Sequence, residues 1–334
     1  MHTLPDFVVE PIELKIEITR ACNLRCSFCY LGSMDRWSAE SHMPTSAVMD
    51  WIDWCVDNDV PAVRFTGGEA TLHPDIELLC NYAQVRKRYV ILNSNGMADP
   101  ALYNRLLVND LRVSIPTLDP QSMDEITGCS DVLAKKIAAI DQALARGLFQ
   151  VVMFTVMTPE MLGKLHEFIP FLQARPQLKW GPLRFESSPD DPRPLTREIM
   201  QALAEEMSDL MDAYPETVKG IGIAAPFCSV TPTSLGAKVF FGRGRACGPF
   251  KALNVNFDGM LTACFGTCEL FTQGSLDDVR NSPVLHAHCS YEVLPEECHE
   301  CEYIEACAGG CRKPATLAGH NGRQVDYLAE FVQE

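Results

Sequence analysis

Residues 14–19 read LKIEIT, with Leu14, Ile16 and Ile18 alternating against Lys15 and Glu17. A period of two predicts a short strand with one apolar face. Comparable runs recur at AVRFT (62–66), YVIL (89–92), Arg112–Ile115, Gln150–Thr155 and near Pro182–Glu186. Between them the period lengthens to that of a helix. AVMDWIDWCVDN follows a Thr45 or Ser46 cap, another stretch runs from about Pro74 to Val85, a third from Val132 to Ala145 is closed by Gly147, and a fourth covers Glu160–Gln173. This alternation predicts an α/β fold with a parallel sheet and right-handed crossovers. Six units in roughly 200 residues fit a partial (β/α)6 TIM-like barrel better than a complete eight-unit one. Active sites in such barrels form where strands end, which singles out the loops after Thr19, at Gly67-Gly68-Glu69, at Asn93–Gly96 and at Pro116–Gly128.

Past the last strand the pattern changes. Residues 187–194 (SSPDDPRP) form a proline-rich break, an acidic helix follows at Glu198–Ala213, and after Gly220 periodicity fades while cysteines dominate. We place the barrel at 1–215 and a small cysteine-rich domain at 216–334. A hydrophobic content of 47% over 334 residues is enough for one large core and a smaller appended one. The longest charge-free stretch, 220–237, is broken by glycine, proline and hydroxyl side chains, and the N-terminus lacks an apolar signal region, so neither a membrane span nor secretion is expected and the cytoplasm is. A net charge of −16 disfavours nucleic acid as a partner.

The cysteines carry the chemistry. Of 15, Cys22, Cys26 and Cys29 fall in CNLRCSFCY, Cys55, Cys80 and Cys129 are scattered, and nine lie between 228 and 311. In a reducing compartment such clustering means metal or catalysis rather than disulfides. Structural zinc sites close with four ligands, whereas a [4Fe–4S] cluster on three thiolates leaves one iron open. Further on, Cys247, Gly259 and Cys264 space as C-x11-G-x4-C, with Asp258-Gly259 reading as a hairpin turn. Cys298, Cys301, Cys307 and Cys311 space as C-x2-C-x5-C-x3-C, for which a structural zinc site is the alternative by spacing alone. Cys55 and Cys80 fall on apolar helix faces and read as core.

Cys22, Cys26, Phe28 and Cys29 after the first strand, with Gly67-Gly68-Glu69 after the second, resemble the radical S-adenosylmethionine (radical SAM) enzymes over residues 14 to about 186. The C-terminal spacings resemble the SPASM extension of that superfamily. The resemblance implies that S-adenosylmethionine fills the open iron. A 5′-deoxyadenosyl radical then abstracts a substrate hydrogen. It places Phe28 beside the adenine, Gly67, Gly68 and Glu69 at the methionyl amino group, and Asn95 and Ser114 near the ribose. A side chain at Gly68 is expected to block the cofactor and spare the iron.

It further implies a first auxiliary cluster on Cys228, Cys247, Cys264 and Cys311, with Cys268 competing with Cys228. A second would sit on Cys298, Cys301 and Cys307. Here the chain departs from the family: no cysteine follows Cys311, and Leu328 stands where the family's last ligand is expected. The fourth ligand is then expected to be something other than cysteine: water, His320, Asp326 or a substrate atom. Three [4Fe–4S] clusters are expected, and at least two. Cys129 is a candidate hydrogen donor and Asp119 a candidate base, against the plainer readings of an incidental loop thiol and a surface carboxylate.

The reaction expected is modification of a ribosomal peptide or protein by crosslinking, epimerisation or oxidation. Oxidation of a small molecule is the alternative, and a non-catalytic zinc or iron–sulfur scaffold the reading from a different class. The barrel starts within about 15 residues of the first residue, so a separate leader-peptide-binding protein is a candidate partner. An electron donor such as flavodoxin or ferredoxin is implied as well.

Overall fold

The computed structural model describes residues 9–29, 31, 41–185, 195–218, 224–240, 251–264, 267–311 and 328–329. Cys247, the break at 187–194, His320 and Asp326 lie outside them, and for Cys268 the backbone alone is described. Six strands form a parallel run in sequence order: β1 (Glu13–Thr19), β2 (Ala62–Gly67), β3 (Tyr89–Ser94), β4 (Asp110–Ser114), β5 (Gln150–Met157) and β6 (Leu178–Arg184). The crossovers carry α1 (Thr45–Asp57), α2 (Ile76–Val85), α3 (Pro100–Arg105), α4 (Pro120–Thr127) with α5 (Val132–Ala145), and α6 (Phe168–Gln173). This is the α/β partial barrel that the alternation predicts.

The two faces of β1 explain why it forms. Leu14, Ile16 and Ile18 are fully buried in the core beneath the helices. Glu13, Lys15 and Glu17 project to the other face, where Arg64 of β2 pairs with Glu13 at 2.5 Å. Val63 and Phe65 repeat the apolar half on β2, and Leu111 and Val113 on β4. Cys55 and Cys80 are fully buried on α1 and α2, as core cysteines should be.

Two helix expectations need correction. The cap of α1 is Pro44, and no side chain caps that end. Thr45 instead donates its hydroxyl to Asp75 Oδ2 at 2.5 Å. The helix expected at Glu160–Gln173 begins only at Phe168, after two short 3₁₀ turns. Gly163 lies between them at φ +77°, a left-handed backbone that interrupts a helix.

The sheet does not stop at β1. α7 (Arg197–Ala213) and α8 (Thr233–Phe240) lead to β7 (Ala252–Val255), which pairs parallel with β1 on its outer side. β8 (Leu261–Cys264) and β9 (Thr267–Phe271) follow antiparallel, completing the order β6-β5-β4-β3-β2-β1-β7-β8-β9. The turn expected at Asp258-Gly259 joins β7 to β8, with Gly259 at φ +82°.

Candidate functional site

The loop that leaves β1 carries Cys22, Cys26 and Cys29, and its backbone is held from two sides. Arg25 and Ser27 donate N–H groups to the carbonyls of Thr127 and Ile126, at 2.8 and 2.9 Å, where α4 ends. From the other side the turn after β2 docks beneath it. Gly68 N–H donates to Thr19 O and Glu69 N–H to Ala21 O, both at 2.7 Å. No side chain fits between these backbones. A Cβ on Gly67 would strike Thr19 O, and one on Gly68 would strike Ala21 O and lie 2.6 Å from Arg20 O. Cys22 is buried, while Cys26, Phe28 and Cys29 are partly exposed along the loop.

Glu69 is buried and its carboxylate is turned into the protein. Oε1 accepts from Thr71 N at 3.1 Å, Thr71 Oγ1 at 2.6 Å and Ser94 Oγ at 2.9 Å, while Oε2 accepts from Asn95 N at 2.5 Å. The carboxylate thereby ties the end of β2 to the end of β3. What this turn has left to offer a ligand is backbone. Asn95 continues the chain of contacts, donating its amide to Asn23 Oδ1 at 2.7 Å and towards Cys22 Sγ at 3.9 Å. Asn93 Oδ1 is buried near the same strand ends with no partner among the described residues.

Lys136 was not singled out by the sequence, yet it sits at the centre of the site. It is 1% exposed on α5, and its ammonium donates to Ser114 O at 2.7 Å. Burial pulls its pKa down, and Cys26, Glu69 and Cys22 pull it back up. A cation behind two thiols and a carboxylate suits a site that gathers negative charge.

The two catalytic candidates separate. Cys129 is brought to the cysteine loop, donating its thiol to Asn23 O at 3.5 Å. Asp119 is not: it caps the start of α4, accepting from Ser122 N at 2.7 Å, while the opposite end of the helix touches the loop. Eight helical residues separate the ends by about 12 Å. That amide holds the Asp119 carboxyl below its usual range, which suits a cap better than a base. Asp124 is likewise engaged, accepting from the amides of Asp131 and Val132 at the start of α5.

The C-terminal cysteines form a second centre. Cys228, Cys298, Cys301 and Cys307 line one cavity of about 450 Å³. Burial pushes the Cys307 thiol up, against backbone N–H groups of Phe227, Gly309 and Gly310 that favour the thiolate. Cys264 ends β8, and Cys311 follows the cysteine run. Among the described residues no three His, Cys, Asp or Glu side chains converge tightly enough to hold one metal ion. A cluster asks for less convergence, because each thiolate takes a different iron. Soft thiolates also suit iron–sulfur chemistry, so both donor sets fit it.

The sequence profile of the Radical SAM superfamily matches residues 16–169. Among curated proteins, the probable GTP 3′,8-cyclase of Sulfolobus acidocaldarius is 30% identical over 164 residues, covering 48% of this chain and 51% of that protein. The chain thus spans about half the length of these cyclases. Mycofactocin maturase MftC of Mycobacterium ulcerans is 24% identical over 322 residues, covering 92% of this chain and 85% of that protein. Of solved structures, Streptococcus suis SuiB bound to S-adenosylmethionine superposes with a TM-score of 0.76 at 17% identity, covering 97% of this chain and 78% of its own. anSMEcpe with bound AdoMet gives 0.71 at 15% identity, covering 95% and 93%. At these identities the likeness is one of fold.

Proposed function

Residues 16–169 are a radical SAM domain, and from that premise we propose that this chain is a peptide-modifying enzyme using S-adenosylmethionine and three [4Fe–4S] clusters. The domain itself implies the cofactor and one cluster. The observation that carries the reading is the docking of the Gly67-Gly68 turn under the cysteine loop by two 2.7 Å backbone hydrogen bonds. It brings three soft ligands and a side-chain-free backbone edge to one place. When bound, the cofactor and cluster supply hydrogen-atom abstraction from an unactivated C–H bond.

The chain's own residues then have distinct tasks. Cys22, Cys26 and Cys29 hold the cluster, and the backbone of Gly67 and Gly68 borders the methionyl end of the cofactor. Phe28 would flank the adenine, and Ser114 with Asn95 would lie on the ribose side. Glu69 works as a brace whose four hydrogen bonds fix the relative position of these loops. Lys136 balances the charge of the thiolates. Cys129, beside Asn23, is the candidate to return a hydrogen atom to a substrate radical. The remaining C-terminal cysteines carry two auxiliary clusters.

A peptidyl substrate is favoured by the extent of the likeness to MftC, which runs through the cysteine-rich region, whereas the cyclase likeness covers only about half of the chain. That cyclase likeness supports the second reading, chemistry on a small molecule. The test is anaerobic reconstitution followed by reduction with dithionite in the presence of S-adenosylmethionine. Wild type should release 5′-deoxyadenosine. Replacing Cys22, Cys26 and Cys29 together by Ala should abolish it and leave the C-terminal iron bound. Undiminished 5′-deoxyadenosine from the triple variant would sink the proposal.

A further inference from the structure

Cys298, Cys301 and Cys307 offer three thiolates, one fewer than a [4Fe–4S] cluster closed by protein takes. The cavity that these three line has a fourth cysteine in its wall, Cys228, which comes from some seventy residues upstream in sequence. Cys264 and Cys311, the partners that the resemblance implies for Cys228, do not line it. Position in the chain misleads here because the fold carries residues 226–229 onto the cysteine run.

Several contacts fix that placement. Phe227 donates its N–H to Cys307 Sγ at 3.4 Å, so the residue preceding Cys228 is bonded directly to a sulfur of the run. The rings of Phe227 and Tyr303 meet edge to face with centroids 5.9 Å apart. On the far side α8 presses on the same turn, where a Cβ on Gly236 would strike the Phe227 carbonyl. From the run, Gly310 approaches Pro226 so closely that a Cβ would lie 2.7 Å from its ring. Ala308, Gly309 and Gly310 all have positive φ, at 53°, 76° and 83°. That left-handed series folds the backbone after Cys307 back on itself, with the Gly310 N–H on Cys307 O at 3.1 Å and the Phe227 N–H left to bond Cys307 Sγ. Backbone N–H···S bonds of this kind tune the sulfurs of iron–sulfur sites. Leu328 is fully buried and its neighbour Ala329 lines the cavity, so an apolar wall stands where the family's late cysteine is expected.

We infer that Cys228 is the fourth thiolate of a [4Fe–4S] cluster held by Cys298, Cys301 and Cys307, so that this site is closed by protein and offers no open iron. The inference rests on the cysteine-rich region bearing clusters. It releases Cys228 from the first auxiliary set and leaves that place to Cys268, the competing candidate, on β9.

The full chain, reconstituted anaerobically, is counted for iron and acid-labile sulfide and examined by electron paramagnetic resonance after dithionite reduction. Wild type should hold about twelve irons and Cys228→Ala about eight, four per cluster lost. The double variants decide the grouping. Cys228→Ala with Cys298→Ala should stay near eight, because both strike one cluster, and Cys228→Ala with Cys264→Ala should fall to about four. The opposite pattern, or a Cys228→Ala protein indistinguishable from wild type, overturns the inference. A wild type near eight irons that Cys298→Ala leaves unchanged overturns it too, and with it the three-cluster reading. If Cys228→Ala folds poorly by circular dichroism, Cys228→Ser takes its place. It must shift the resonance that Cys298→Ala abolishes; a shift in the resonance that Cys264→Ala abolishes overturns the assignment. Added thiol should leave the spectrum of this closed cluster unchanged.

Discussion

Gly68 shows how much a single missing side chain decides. The sequence suggests a glycine that makes room for a cofactor, and on that view a side chain there spares the iron. The structure gives a nearer cause: a Cβ at 68 meets the carbonyls of Ala21 and Arg20, immediately before Cys22. Gly68→Ala should therefore push the cysteine loop off the turn, at a cost of about 1–3 kcal/mol for overpacking. Iron at the N-terminal site and S-adenosylmethionine affinity should fall together, read by iron counting in a variant lacking the C-terminal cysteines and by equilibrium binding. Wild-type iron content in Gly68→Ala would refute the docking argument. Most of the candidate site was legible at this scale, because cysteines and paired glycines signal chemistry by type and spacing. Lys136 was legible in principle: Val132, Leu133, Lys136, Ala139, Ile140 and Ala143 form the buried stripe of α5, and a lysine in such a stripe is out of place. The bracing role of Glu69 was not, since two of its four donors, Ser94 Oγ and Asn95 N, come from the end of β3 and are brought near only by folding.

The strands of the barrel were legible because alternation is a local property, and β1 shows what that alternation encloses. Glu17 is 3% exposed, accepts from Phe257 N at 3.0 Å, and leaves its other oxygen buried without a partner among the described residues. Burial holds its carboxyl above the usual range, and the Phe257 amide and Arg20 offset this only in part. The unfolded chain loses this proton near pH 4.3, about the ordinary glutamate value, and the folded protein loses it later. Between the two values the folded state binds more protons, so the stability Glu17 contributes is complete below the lower one and lost as pH rises through the upper. Glu17→Gln has no proton to lose. Its melting temperature relative to wild type should climb as pH is raised across that window and then level off; parallel pH profiles for the two proteins would disprove it. The helices were less legible than the strands where a tertiary contact or a single backbone conformation intervened, as with Thr45 drawn to Asp75 and Gly163 delaying α6.

Across the whole molecule, the boundary read at 215/216 divides two kinds of sequence, a periodic part and a cysteine-rich part, and the sheet passes through it. β7 adds to the outer side of β1 with all four of its residues buried. Further ties run from the extension to the first crossover and to β1. Trp54 Nε1 donates to Gly274 O at 2.6 Å, Leu276 N to Asn58 Oδ1 at 2.7 Å, and Phe257 N to Glu17 at 3.0 Å. Periodicity could not announce this, because pairing between strands more than two hundred residues apart leaves no local trace. The consequence is that β1, the strand that launches the three-cysteine loop, depends on the extension for one of its two neighbours. A chain ending at Val218 keeps all of β1 to β6 but exposes the outer edge of β1, with its row of unpaired N–H and C=O groups and the apolar surface that β7 covers. Such an edge is a template for association with other chains. The fragment should therefore self-associate or precipitate on expression, where the full chain stays monodisperse and melts in one transition. Size-exclusion chromatography with light scattering and calorimetry read both. A monomeric fragment that melts where the full chain does would show that the barrel stands alone and that β7 is an ornament to it.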